Sequence, residues 1–257
     1  MQDTDHRYAL LLGHPGHELR VLGWASRQQP AVCLLTDGSG SDGESRIPMT
    51  VEVLDTIGCK MQAHGGLDDA GIYAAILAGQ VELFLGIAER FADWLQQQEV
   101  DCVVSDGVEG YNPTHDLCAA LTARAVRICA ARSGRRMSHH TFPLVGPSVP
   151  ATMPEGAILV ELQDSEVAEK LALSRSYAAR AGGVLVAEVE EMIERLGASG
   201  FAREMFAPAN LESDFARQLE ERPFYESYGE KKVAAGVYPE AIQFKRHMLP
   251  ILEALQV

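Results

Sequence analysis

Apolar residues in this chain fall into short continuous runs, separated by longer stretches with three- and four-residue spacing. Residues 8–13 (YALLLG) form an apolar run ended by glycine. Ala31–Thr36 (AVCLLT), 101–105 (DCVVS) and 157–162 (AILVEL) repeat the form. Runs of this length with little polar alternation predict strands covered on both faces. Residues 59–63 and 141–145 are further candidates of the same kind. Helical spacing fills the intervals: 18–26, 47–57 closed by Gly58, 69–98, 115–133, and 164–196 with a break at Gly182-Gly183. Within the third of these, Val81, Phe84, Leu85, Ala88, Phe91, Ala92 and Leu95 draw one apolar stripe, the mark of a helix lying on a core. Beyond Phe201 the pattern is less regular and ends in a helix over 239–255.

Strand alternating with helix predicts an α/β fold, a mostly parallel sheet with helices on both faces. Ligands of such sheets bind beyond the carboxyl ends of the strands. No Pro-, Ser- or Gly-rich linker divides the chain. The reading is therefore one domain over 1–257, with a C-terminal extension from about 201.

Charge narrows the partners. The net charge of −14 disfavours nucleic acid, which needs clustered cations, and an anionic membrane surface. No apolar run is long enough to cross a bilayer, and the N-terminus lacks the basic-then-apolar order of a signal peptide. Cys33, Cys59, Cys102, Cys118 and Cys129 are odd in number and form no C-x-x-C pair. They read as buried free thiols in a reducing cytoplasm. The sequence leaves homo-oligomerisation open.

The chemistry lies in the histidines. His14 follows the first strand, His17 comes one short turn later, and His115 opens the helix after the fourth apolar strand, 101–105. All three fall at the same sheet edge. Three imidazoles there suit a divalent transition metal with one open position, zinc foremost. His139-His140 alternate on a strand, so they cannot easily share an ion. A nucleotide site is disfavoured: Gly13-His-Pro-Gly16 lacks the glycine spacing that a pyrophosphate needs, and no P-loop occurs.

Gly13-His14-Pro15-Gly16-His17-Glu18 resembles the H-P-D-D-E motif of the PIG-L/LmbE-like de-N-acetylases. Asn112-Pro113-Thr114-His115 resembles their H-P-D-H, and Leu35–Ser39 followed by Ser45-Arg46 resembles their second-strand loop. The resemblance is specific over the first half of the chain and weaker beyond. It implies a Rossmann-like (LmbE-like) fold and a zinc-dependent hydrolase that removes acetyl from an N-acetylated sugar or glycoconjugate. It places His14, His17 and His115 as metal ligands, with His17 where the family has aspartate. It also implies two losses. The family's catalytic base falls on Gly16, and its assisting histidine falls on Asn112. Glu18, Asp37, Asp106, Glu109 and Asp116 are candidate replacement acids or bases, Asp37 first. Asn112 is a candidate oxyanion donor, and Arg46, Glu109 and Tyr111 are candidate substrate-binding residues. On this reading an aspartate restored at Gly16 raises activity. The competing expectation is a diverged member that binds a sugar or metal without hydrolysis.

Overall fold

Residues of β1 (Tyr8–Leu12) and β2 (Ala31–Thr36) alternate between two cores, which fixes the architecture. Ala9, Leu11, Cys33 and Leu35 face one, and Leu10, Leu12, Val32 and Leu34 the other. Both sets are essentially inaccessible to solvent, so both sheet faces must be covered. The computed structural model describes residues 6–40, 43–147, 149–150 and 152–256. The first five residues of the N-terminal stretch read above, and Ser41 and Asp42 between the Leu35–Ser39 segment and Ser45-Arg46, lie outside the described residues.

The remaining strands are β3 (Lys60–Leu67), β4 (Cys102–Asp106), β5 (Ser138–Phe142), β6 (Ile158–Glu161) and β7 (Arg203–Pro208). They form one seven-stranded sheet in the order β3-β2-β1-β4-β5-β7-β6. The first five are parallel, whereas β7 runs antiparallel to both β5 and β6. The helices are α1 (Leu22–Gln28), α2 (Ile47–Thr56), α3 (Asp69–Leu77), α4 (Val81–Gln97), α5 (Pro113–Ser133), α6 (Asp164–Ala181), α7 (Val184–Phe201), α8 (Leu211–Glu220), α9 (Phe224–Ala234) and α10 (Leu249–Leu255). Residues of α3, α4, α5 and α10 build the first core, and residues of α1 and α2 contribute to the second. The α/β reading holds, with helices on both faces.

Several boundaries differ from expectation, each for a local reason. The helix read over 69–98 is two, because the chain turns through Ala78, Gly79 and Gln80. The strand read over 141–145 ends at Phe142, where Pro143 interrupts it. The last helix starts late: α10 is preceded by a π-helical turn, Phe244–Met248. The irregular tail contributes β7, α8 and α9. All five cysteines are buried and free. Among the described residues, no helix is long and apolar enough to cross a membrane.

One buried ion pair ties the late helices to the sheet. Lys170 on α6 donates to Glu204 on β7 at 2.6 Å and to the Arg20 carbonyl at 2.6 Å. Glu204 also accepts the N–H groups of Gly23 and Trp24, so its charge is saturated by donors. This clamp fixes α6 beside the turn that carries the histidines.

Candidate metal centre

The turn after β1 is shaped by two glycines. The Gly13 N–H donates to Asp106 Oδ2 at 2.7 Å, and a Cβ on Gly13 would meet that same oxygen at 2.7 Å. Gly16 sits at φ +97°, a conformation that glycine adopts without strain, and its N–H is held by Glu18 Oε2 and Thr50 Oγ1. This turn aims His14 and His17, the latter opening a 3₁₀ helix over His17–Val21, toward the start of α5. There Asn112 caps the helix by accepting the Thr114 N–H at 2.8 Å, Pro113 follows at the first helical position, and His115 faces the pair.

The three rings meet. Their centroids lie 5.3 Å (His14–His17), 5.2 Å (His14–His115) and 4.5 Å (His17–His115) apart. Two imidazoles on one tetrahedral ion, with metal–nitrogen bonds of about 2.1 Å, have ring centres about 5 Å apart. Among the described residues no three His, Cys, Asp or Glu side chains are already closed around one point. The rings stand within reach of one another but do not close on a common point in this arrangement.

Carboxylates set the tautomers of two rings. His14 Nδ1 faces Asp69 Oδ1 at 3.1 Å and Thr36 Oγ1 at 2.8 Å, and His17 Nδ1 faces Asp106 Oδ2 at 2.9 Å. An ionised carboxylate only accepts, so each Nδ1 carries a proton and Nε2 is the nitrogen turned to the cavity side for a metal. A carboxylate behind a ligating imidazole is the usual support of metal-binding histidine. His14 Nε2 and His115 Nδ1 are buried without a hydrogen-bond partner. Burial, with His17 and His14 nearby, pushes His115 well below the usual histidine range, so it stays neutral. Burial raises the Asp69 carboxyl, but its contacts with His14, Thr36 and Gly40 outweigh that and lower it overall. Open ring nitrogens, backed by fixed anions, fit a divalent transition metal.

No family model matches the chain, and no curated protein matches it in sequence. Solved structures do. A conserved protein of Thermus thermophilus, TT1542, is 17% identical at a TM-score of 0.57, over 80% of this chain and 95% of that one. The A40926 pseudoaglycone deacetylase Dbv21 is 15% identical at 0.52, over 79% and 96%. The zinc-inhibited form of the teicoplanin deacetylase Orf2 is 13% identical at 0.51, over 79% and 97%. The chain shares the α/β fold of these structures, two of which are deacetylases.

A cavity of about 440 Å³ opens on the three histidines. Arg46, Tyr111 and Asn112 line it, where the sequence placed them. Other expected residues sit elsewhere. Asp37 is not on the cavity wall; its Oδ1 accepts the Ser39 N–H and shapes the loop. Glu109 is also off the wall, with its carboxylate holding the N–H groups of Leu144, Val145 and Gly146. Glu18 is fully buried, bound by Gly16 and Thr50; desolvation pushes its carboxyl up to about 7 against those hydrogen bonds. Asp116 holds Glu109, Gly110 and Gln218. The carboxylates chosen as replacement bases are thus committed to the scaffold.

Two wall residues were not foreseen. Asp69 is the carboxylate behind His14. Tyr177, on α6, lines the cavity with its ring 3.0 Å from where a Gly16 Cβ would stand. A side chain at position 16 therefore presses on Tyr177, and its backbone conformation is unfavourable. An acid there is not the simple restoration that the sequence implied.

Proposed function

We propose that this chain is a metal-dependent amidohydrolase that removes an acyl group, acetyl in the simplest case, from an amino sugar or related small molecule. The observation that carries the reading is the meeting of His14, His17 and His115 from two loops on one cavity, with Asp69 and Asp106 behind two of them. These three side chains would hold the ion, zinc or another divalent transition metal. When bound, such an ion supplies Lewis acidity for water and for an amide carbonyl.

The chain's own residues supply positioning. Asn112 commits its oxygen to the Thr114 N–H, which leaves its amide N–H₂ to donate to a substrate oxygen. Tyr177 is raised above the ordinary phenol range, by burial first and by Glu18 second, so it remains a hydroxyl and acts only through hydrogen bonds. Arg46 on the cavity wall offers a cation to a hydroxyl or phosphate. In the overall reaction, water oxygen bonds to the carbonyl carbon, the C–N bond breaks, and the amine leaves with the proton. Glu188 of α7 lines the same cavity, and burial raises its carboxyl, which makes it a candidate to carry a proton there.

One observation favours a second reading, binding without turnover: the carboxylates named as replacement bases are engaged in the scaffold. Acetate release from N-acetylglucosamine and related N-acetyl sugars by metal-loaded protein separates the two. The hydrolase reading expects release that stops with chelator and returns with metal. Metal binding without release from any of them would favour the second.

A further inference from the structure

The carboxylates that line the cavity are Asp69, Glu188 and Glu191. Asp69 is committed to His14 and to the Gly40 N–H. Glu188 and Glu191, both on α7, make no hydrogen bond and no close ion pair among the described residues. Their positions along the helix separate them. Leu185, near the start of α7, packs in the cluster that holds Tyr177, the ring against Gly16. Glu188 follows Leu185 by one helical turn on the same face, about 4.5 Å along the axis, whereas Glu191 lies about 9 Å along it. Arg46 acts electrostatically on both Tyr177 and Glu188, which puts Glu188 at the Gly16 end of the cavity. Glu188 also keeps part of its surface in solvent, so it can exchange a proton with water. Burial of the rest raises its carboxyl; Arg46 opposes that and Glu191 adds to it. A raised carboxyl takes up and gives back a proton nearer neutrality than an ordinary glutamate does.

We propose that Glu188 is the proton relay of the hydrolysis, supplied by α7 because the turn after β1 has glycine at position 16 and no acid to offer. The inference rests on the amidohydrolase reading above. The oxygen of the attacking water bonds to the carbonyl carbon, and a proton of that water passes to the Glu188 carboxylate. Glu188 hands the proton to the nitrogen as the C–N bond breaks. The products are the carboxylic acid and the free amine, and Glu188 ends ionised, as it began. Arg46 and Tyr111, which interact with it on the same wall, hold the substrate beside it.

The test compares an amide with an activated ester on metal-loaded protein. The amide is the N-acetyl sugar that wild type cleaves fastest, N-acetylglucosamine being tried first. The ester is p-nitrophenyl acetate, whose phenolate leaves without a proton. Glu188→Gln is expected to lower kcat for the amide about 100-fold or more, with KM little changed, and to lower the ester rate less than about tenfold. Its zinc content and unfolding midpoint are expected to match wild type. Glu194→Gln removes the same charge from an exposed position of α7 off the cavity wall, and is expected to keep both rates. An unchanged kcat in Glu188→Gln, an equal loss on both substrates, or a loss confined to KM would each overturn the relay while leaving the hydrolase reading intact. Amine release by wild type from none of the N-acetyl sugars removes the hydrolase reading, and the relay with it.

Discussion

Two sets of histidines sit in this sheet, and they behave oppositely. His14, His17 and His115 lie beyond strand ends, with open ring nitrogens on a cavity and carboxylates behind two of the rings. His139 and His140 lie within β5, pointing to opposite sides. His139 Nε2 pairs with the buried Ser105 hydroxyl at 2.8 Å, and His140 Nδ1 lies 3.5 Å from the Cys102 thiol. The Ser105–His139 contact has the look of a nucleophile and base, but Ser105 is completely buried, so no substrate reaches it. Position relative to the strand end, more than residue type or spacing, separates chemistry from structure here.

The sharpest way to break this contrast is to remove one ring from each set. His115→Ala is expected to abolish stoichiometric metal binding, measured by elemental analysis after loading and dialysis, while His139→Ala retains it. A smaller effect is expected behind the ligands. Asp106→Asn, and to a lesser degree Asp69→Asn, should weaken metal affinity about 10- to 100-fold in chelator competition. Unchanged affinity in both would mean that the carboxylates do not orient the rings.

Smaller again is the effect of the turn itself. Gly16→Ala should cost about 1–3 kcal/mol in chemical denaturation, because a side chain at φ +97° is strained and meets Tyr177. Gly16→Asp is expected to carry the same cost without gaining activity. The least effect concerns acid. Burial, with His140 and Arg127 adding to it, pushes His139 down to about 3 in the folded chain. Between that value and the unfolded value of about 6.5, the unfolded chain binds the extra proton. Stability from this group is thus full above about pH 6.5 and falls as pH drops toward 3. Relative to wild type, His139→Gln should remove at most about 2 kcal/mol of the loss between pH 7.5 and 5.0.

The first half of the chain was legible because its signals are local. H-x-x-H on a strand-ending turn and a Pro-led helix start declare themselves within a few residues, and the buried strands are nearly uniform in apolarity. Asp69 was not legible, since it reaches His14 only after β3 brings residues 55 apart in sequence together. Tyr177 reaches Gly16 from α6, which the Lys170–Glu204 clamp sets in place from another part of the chain. Asp37, Glu109 and Glu18, expected at the chemistry, make scaffold contacts for a related reason. Tight loops need acceptors for their own N–H groups, and these carboxylates serve that need first. In the tail, β7 is short and has charged residues at its start and proline at its end, which hides a strand. α8 did carry a readable signal, Leu211 and Phe215 one turn apart with acids in the first turn.

X-ray absorption at the zinc edge of metal-loaded protein tests the convergence of the rings most directly. The expected spectrum has one ion per chain, with three imidazole nitrogens at about 2.0–2.1 Å. Fewer than three imidazoles, or an equal amount of tightly bound zinc after His14, His17 and His115 are all replaced by alanine, would contradict it.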